Sequence, residues 1–102
     1  GEGYNLNYPM PPNTTYHLWK KNLNNAISKV NKFSPNFLLI SLGVDTFEKD
    51  PISFFKLKSN DYFDVGRVIS SLDIPTLFVM EGGYAINEIG VNTVNILKGF
   101  EE

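Results

Sequence analysis

Residues 37–42 read FLLISL, a run in which every position except Ser41 is apolar. A strand with one solvated face would alternate apolar and polar residues, so a nearly continuous apolar run is typical of a strand buried on both faces of a parallel sheet. A second run of this kind, TLFVM, occupies residues 76–80. Because helical periodicity separates the two runs, the sequence predicts an α/β fold with a parallel sheet and flanking helices.

Helical patterns lie before, between and after these strands. Thr14 or Thr15 is placed to cap a first helix that ends near Phe33. Its apolar face, at helical spacing, comprises Trp19, Leu23, Ala26, Ile27 and Val30. A second helix is expected to be capped by Ser59 and to bury Tyr62, Val65, Gly66, Ile69 and Leu72.

The two ends of the chain complete the predicted order of elements. A third helix is expected from about Ile86, with Gly99 as its C-cap. Its expected buried residues are Ile86, Ile89, Val94 and Leu97. Residues 4–8 alternate and stop at Pro9, which predicts a short strand at best. The resulting order is β-α-β-α-β-α.

Composition excludes several classes of function. With 42% hydrophobic residues the chain can build a packed core, but 102 residues suffice for one small domain only. A net charge of −2 argues against a nucleic-acid partner. No apolar run reaches the ~18–20 residues of a membrane helix. The absence of cysteine removes disulfides and thiolate metal sites.

The beginning of the chain suggests a piece of a longer protein. It starts without Met, in a glycine-containing stretch that reads like the middle of a loop, and it shows no basic or apolar leader. We therefore expect residues 1–102 to form a single partial domain of a cytoplasmic protein. A homo-oligomer is left open.

Two loops leave the carboxyl ends of the predicted strands, where open α/β sheets bind ligands. The first begins at residues 43–51, GVDTFEKDP, and the second is EGGY at residues 81–84. If the strands are neighbours, Asp45 and Tyr84 approach the same crevice. Asp45 either binds a ligand or caps its own loop through backbone N–H groups. Asp50, before Pro51, is expected to be a structural turn residue.

The remaining polar candidates leave alternatives open. Tyr84 either donates a hydrogen bond to an oxyanion or packs at a domain edge. Gly82 and Gly83 permit close approach of a ligand, a phosphate included. Glu81 either orients a neighbour or meets solvent. His17, the sole histidine, is expected at the surface, and no Gly-x-Ser-x-Gly elbow surrounds Ser41.

Taken together, three stretches resemble the histone deacetylase and acetylpolyamine amidohydrolase superfamily. They are residues 1–9 (GEGYNLNYP), residues 41–46 (SLGVDT) with Asp50-Pro51 behind them, and residues 81–84 (EGGY). The resemblance covers essentially the whole chain and corresponds to about the last third of the family's domain. Within the superfamily, the sequences of residues 42–47 and 50–55 look most like those of the acetylpolyamine amidohydrolase branch. The implied fold is the C-terminal part of an arginase/deacetylase-like three-layer domain.

The resemblance also implies roles for particular residues. Asp45 matches a zinc-binding aspartate of the family, and Tyr84 matches the tyrosine that hydrogen-bonds the substrate carbonyl and the oxyanion. Gly82 and Gly83 match one wall of the acyl-lysine tunnel, and Ile52 matches an apolar tunnel-lining position. The implied cofactor is zinc, and the implied substrate is a small acetylated polyamine or acetyl-lysine.

One departure from the family pattern limits what this chain can do alone. The family takes its other zinc ligands from an Asp-x-His segment and its general base from a histidine pair, and neither occurs here. One carboxylate cannot hold catalytic zinc, so the 102-residue chain alone is expected to be inactive. The competing interpretations are a non-catalytic remnant or interaction module with this fold, and a nucleotide-binding module that uses Gly82 and Gly83.

Overall fold

The computed structural model describes residues 1–102 and contains three helices and two strands. In chain order they are α1 (Tyr16–Phe33), β1 (Leu38–Leu42), α2 (Ser59–Ser70), β2 (Thr76–Met80) and α3 (Ile89–Glu101). The strands are parallel and paired from Leu38 opposite Thr76 to Leu42 opposite Met80. The predicted α/β class with a parallel sheet is therefore confirmed. None of the helices combines the length and the apolar character that a membrane span requires.

Residues 4–8 form no strand, so the first of the six predicted elements is missing. No other segment pairs with these residues, and Tyr4 and Leu6 are 88% and 61% exposed. A strand needs a partner for its backbone hydrogen bonds, and within this chain the sheet contains only β1 and β2. The alternating pattern at residues 4–8 therefore has nothing to pair with here.

One face of the sheet packs against the core and the other is open. Ile40 and Phe78 contact a buried cluster to which α2, α3 and the loop after β1 contribute. On the opposite face Leu39 and Leu77 are 58% and 49% exposed. The expectation that both strands are buried on both faces is thus not met within this chain, because no element covers the second face.

Helices α2 and α3 cross at two glycines. A methyl group on Gly66 would collide with the carbonyl oxygen of Ile96, and one on Gly99 would collide with the carbonyl oxygen of Phe63. The backbones approach this closely because neither glycine has a side chain. Gly99 lies inside α3, so its predicted role as a C-cap is wrong.

The same crossing decides which face of α3 is buried. Asn92, Ile96 and Gly99 are buried, at the i, i+4 and i+7 spacing of one helix face. Val94 and Leu97, which were expected to be buried, are 45% and 40% exposed. The expected start near Ile86 is also wrong, because residues 86–88 form a turn and α3 begins at Ile89.

The first two helices follow the prediction more closely. Thr15 stands at the N-cap of α1, although its side chain makes no capping hydrogen bond. The predicted apolar face of α1 is half-buried along its length. In α2 the N-cap is Lys58 rather than Ser59, and the Asp61 carboxylate accepts a hydrogen bond from the Lys58 amide at 2.7 Å. Four of the five residues expected on its inner face are buried, namely Tyr62, Val65, Gly66 and Ile69.

Candidate active site

Two loops leave the carboxyl ends of the adjacent strands and stay paired beyond them. We call residues 43–57 the β1 loop and residues 81–84 the β2 loop. The Glu81 amide donates to the Leu42 carbonyl at 2.8 Å, and the Val44 amide donates to the Gly82 carbonyl at 2.8 Å. Parallel pairing therefore continues into both loops and fixes Val44 and Gly82 against each other.

Asp45 follows this paired stretch, and its carboxylate lies between two glycines. A Cβ atom on Gly43 would stand 2.9 Å from Asp45 Oδ1, and one on Gly82 would collide with Asp45 Oδ2. Asp45 is half-buried, and no ion pair or side-chain hydrogen bond of the structure involves its carboxylate. The structure therefore shows none of the backbone N–H hydrogen bonds by which Asp45 would cap its own loop.

The two residues that flank Asp45 are held by Tyr62 of α2. The Tyr62 hydroxyl shares a hydrogen bond of 2.8 Å with the Thr46 hydroxyl and donates to the Val44 carbonyl at 3.4 Å. Burial, foremost, and the nearby carboxylates raise the pKa of Tyr62 above its ordinary value of 10.0. The phenol thus stays protonated and keeps its hydrogen bonds over the working range of most enzymes.

Gly83 adopts a backbone conformation that disfavours a side chain. Its φ is +150°, and a Cβ atom there would lie 2.6 Å from Val44 Cγ2 and 3.3 Å from Ile89 Cγ2. Gly83 therefore lets the β2 loop turn closely over Val44. Helix α3 begins only at Ile89, so the glycine pair does not open directly onto a helix N-terminus as a phosphate cradle would require.

Asp50 joins the two loops. Its Oδ1 accepts the amides of Ile52 at 2.8 Å and Ser53 at 3.0 Å, and its Oδ2 accepts the amide of Tyr84 at 2.9 Å. The residue is 7% exposed. Burial raises the pKa of this carboxyl, but the three backbone hydrogen bonds outweigh burial and hold the pKa below its ordinary value. The predicted turn role of Asp50 is confirmed, and the bond to Tyr84 is an addition to it.

The structure brings Asp45, Gly82 and Tyr84 together. A Cβ atom on Gly82, which would touch the Asp45 carboxylate, would also lie 3.5 Å from Tyr84 Cε2. Tyr84 is 48% exposed, so its ring stands at the rim of the crevice. Ile52 lies in the β1 loop beside Asp50 with 62% of its surface exposed.

Other candidates lie apart from this crevice or make no contact there. His17 is exposed in the first turn of α1, as expected. Glu81 is exposed, and its side chain makes no hydrogen bond in the structure. The chain contains no cluster of three or more His, Cys, Asp or Glu side chains that could enclose a metal ion. Asp45 could supply one ligand to a metal ion, but this chain provides no further ligands beside it.

Two residues of the site were not identified from the sequence. An Asp before Pro indicates a turn but says nothing about a partner 34 residues away, so the bond from Tyr84 to Asp50 was missed. Tyr62 was predicted only as a buried helix residue. The one available signal was a tyrosine, instead of phenylalanine, at an inward position, because a buried hydroxyl usually finds a partner.

Comparison with known proteins supplies the family. Residues 1–100 match the model of the histone deacetylase domain. Acetylpolyamine amidohydrolase 2 of Pseudomonas aeruginosa is 50% identical over 101 residues, which are 99% of this chain and 29% of the relative. The acetylpolyamine amidohydrolase of Mycoplana ramosa is 50% identical over 99 residues, 97% of this chain and 29% of the relative.

A solved structure agrees with these relatives. The acetylpolyamine aminohydrolase of Burkholderia pseudomallei superimposes with a TM-score of 0.92 and 33% identity, over 96% of this chain and 29% of that one. The chain thus spans about 29% of the length of the curated relatives it matches. The resemblance seen in residues 1–9, 41–46 and 81–84 is confirmed, and the chain belongs to the histone deacetylase family.

Proposed function

We propose that residues 1–102 form the C-terminal part of the catalytic domain of a zinc-dependent amidohydrolase. The reaction is removal of the acetyl group from an acetylated polyamine or from acetyl-lysine. The observation that carries the proposal is the meeting of Asp45, Gly82 and Tyr84 at the carboxyl edge of a parallel sheet. The names of the relatives that are 50% identical favour small acetylated polyamines over acetyl-lysine in proteins.

The uncovered apolar surfaces support a partial domain. Leu39 and Leu77 on the open face of the sheet are about half exposed, and so are Val91 and Val94 on the outer side of α3. Apolar faces of strands and helices are stable when another layer covers them. In our proposal the rest of the domain provides that layer, as befits a chain that spans 29% of its relatives.

Asp45 is proposed as one zinc ligand. Its carboxylate has no hydrogen-bond or ion-pair partner within the chain and faces glycines that leave room beside it. A catalytic zinc site needs three protein ligands, so the others must come from residues outside this chain. When bound, zinc with an open coordination position lowers the pKa of water and polarises a carbonyl group. The isolated chain, with one ligand, is proposed to be inactive.

Tyr84 is proposed to act on the substrate carbonyl. A phenol hydroxyl at the rim of the crevice can donate a hydrogen bond to the carbonyl oxygen, and a stronger one to the oxyanion that develops as the amide is attacked. Gly82 and Gly83, without side chains, form one wall of a narrow passage for the acyl group. Ile52 contributes exposed apolar surface to the same passage.

The test uses the full-length polypeptide that contains this chain. Acetate release would be measured from a small acetylated polyamine and from an acetyl-lysine peptide, before and after chelation and after zinc is restored. We expect turnover of the polyamine, loss on chelation and recovery with zinc. Stoichiometric zinc without turnover of either substrate would favour a non-catalytic module, and turnover that survives complete removal of metal would contradict the zinc role.

A further inference from the structure

Beyond Gly82, where the backbone pairing ends, the β2 loop is held by a side chain of the β1 loop. Tyr84 follows two glycines, and Gly83 has a φ of +150°, so this backbone has more conformational freedom than most. The Tyr84 side chain makes no hydrogen bond in the chain and is 48% exposed. The bond from the Tyr84 amide to Asp50 Oδ2, at 2.9 Å, is therefore a principal restraint on where Tyr84 stands.

Asp50 is built to hold that amide rigidly. Its other oxygen accepts two amides of its own loop, those of Ile52 and Ser53, so the carboxylate is fixed before it reaches Tyr84. At 7% exposure it has little competition from water. Hydrogen bonds to a buried charged acceptor are among the stronger ones in proteins. A small movement of a catalytic group has a large effect on rate, so such a restraint matters for chemistry.

We propose that Asp50 is a positioning residue for catalysis, which holds the Tyr84 backbone so that the phenol meets the substrate carbonyl beside Asp45. This inference rests on the proposed function, since it assumes that Tyr84 acts on the substrate. It assigns Asp50 no contact with substrate or metal. This role differs from that of an ordinary turn residue. Loss of an ordinary turn residue would lower stability without a specific decrease in kcat.

Asp50→Asn separates the two roles of the carboxylate. Asparagine is a favoured residue in turns of this kind, because its carbonyl oxygen accepts nearby amides. That oxygen can keep the bonds to Ile52 and Ser53, but the amide nitrogen then faces the Tyr84 N–H, donor against donor. The turn is expected to survive while the tie between the loops is lost.

The experiment is a double-mutant cycle in the full-length, zinc-loaded protein, with kcat and KM measured for the acetylated polyamine. Tyr84→Phe should lower kcat by about 10²-fold with zinc content unchanged. Asp50→Asn should lower kcat by about tenfold with little change in KM or zinc content. In the Tyr84→Phe background, Asp50→Asn should lower kcat by less than a further factor of about three, because the group that Asp50 positions is already gone.

Ser53→Ala serves as the control within the same loop, since it removes only a hydroxyl that accepts the Phe55 amide at 3.4 Å.

The outcomes separate failure of this inference from failure of the proposed function. If Tyr84→Phe leaves kcat unchanged, the role proposed for Tyr84 is wrong and the inference is overturned with it. If Tyr84→Phe lowers kcat but Asp50→Asn does not, or lowers it equally in both backgrounds, the proposed function stands and the positioning role is overturned. The positioning role is likewise overturned if Ser53→Ala reproduces the effect of Asp50→Asn. Should Asp50→Asn not fold, Asp50→Glu, which keeps the charge but moves the carboxylate by one methylene group, replaces it in both backgrounds. It must then lower kcat more with Tyr84 present than in the Tyr84→Phe background, and an equal effect in both, or none, overturns the positioning role.

Discussion

The amide nitrogen of Tyr84 and a carboxylate oxygen of Asp50 lie 2.9 Å apart, although 34 residues separate them in the chain. Each residue belongs to a loop at the carboxyl end of a different strand, and the strands themselves are neighbours. The sheet brings the loops close, and the pairing of Val44 with Gly82 sets their register. The Asp50 carboxylate then fixes the rim of the crevice relative to Asp45.

The acid stability of the protein should depend on Asp50. Burial raises the pKa of this carboxyl, but hydrogen bonds from three amides more than compensate, so the folded-state pKa lies below the ordinary value of 3.8. The ionised Asp50 carboxylate therefore contributes stability that is fully present above about pH 4 and is lost as the pH falls through the folded-state pKa. Asp50→Asn should flatten the acid limb of unfolding free energy against pH. Asp73→Asn, at an exposed residue whose side chain makes no hydrogen bond, should leave that limb steep.

Asp45→Asn should weaken zinc binding by the full-length protein. Replacing residues that only support metal ligands costs about 10- to 100-fold in affinity, so neutralising a ligand itself should cost at least as much. The measurement is competition with a chelator of known affinity. Asp73→Asn again provides the control, because it makes the same chemical change at the opposite end of β2, where φ is +52° and asparagine is well tolerated. An unchanged zinc affinity in Asp45→Asn would remove Asp45 from the metal site.

The sequence predicted that Asp45 and Tyr84 lie close together, but not the hydrogen bonds that hold them there. Asp45 and Tyr84 could be expected to meet, because both follow apolar runs that read as parallel strands. The bond from Tyr84 to Asp50 could not, since hydrogen bonding across 34 residues leaves no local pattern. The buried face of α3 was mispredicted for a related reason. Apolar periodicity alone favours Val94 and Leu97, whereas the observed face is selected by contact of Gly99 with another helix.

Gly99→Ala should destabilise the protein at the α2–α3 crossing. The added methyl group would collide with the Phe63 carbonyl oxygen, which belongs to a helix backbone and moves only with α2. Overpacking of this kind costs about 1–3 kcal/mol of unfolding free energy. Gly90→Ala is the matched control in the same helix, because nothing lies within 4 Å of its Cβ position. Alanine there should be neutral or should stabilise by up to about 1 kcal/mol. Equal effects of the two variants in denaturant titrations would contradict the packing argument.

Tyr62→Phe should lower both stability and zinc affinity, whereas Tyr16→Phe should lower stability alone. The Tyr62 hydroxyl bonds the Thr46 hydroxyl and the Val44 carbonyl, the two residues that flank Asp45. The Tyr16 hydroxyl instead bonds the Asp64 carboxylate between α1 and α2, at 2.6 Å. Tyr62→Phe removes two hydrogen bonds and Tyr16→Phe removes one, each change at a cost of about 1–2 kcal/mol in unfolding free energy. Only Tyr62→Phe frees the residues around the proposed ligand Asp45, and support of this kind is worth about tenfold or more in metal affinity.

Denaturant titration and chelator competition on the same two preparations would measure the unfolding free energy and the zinc affinity. If Tyr16→Phe weakened zinc binding as much as Tyr62→Phe does, general loss of stability would explain the effect and the role of Tyr62 in holding Asp45 would be wrong.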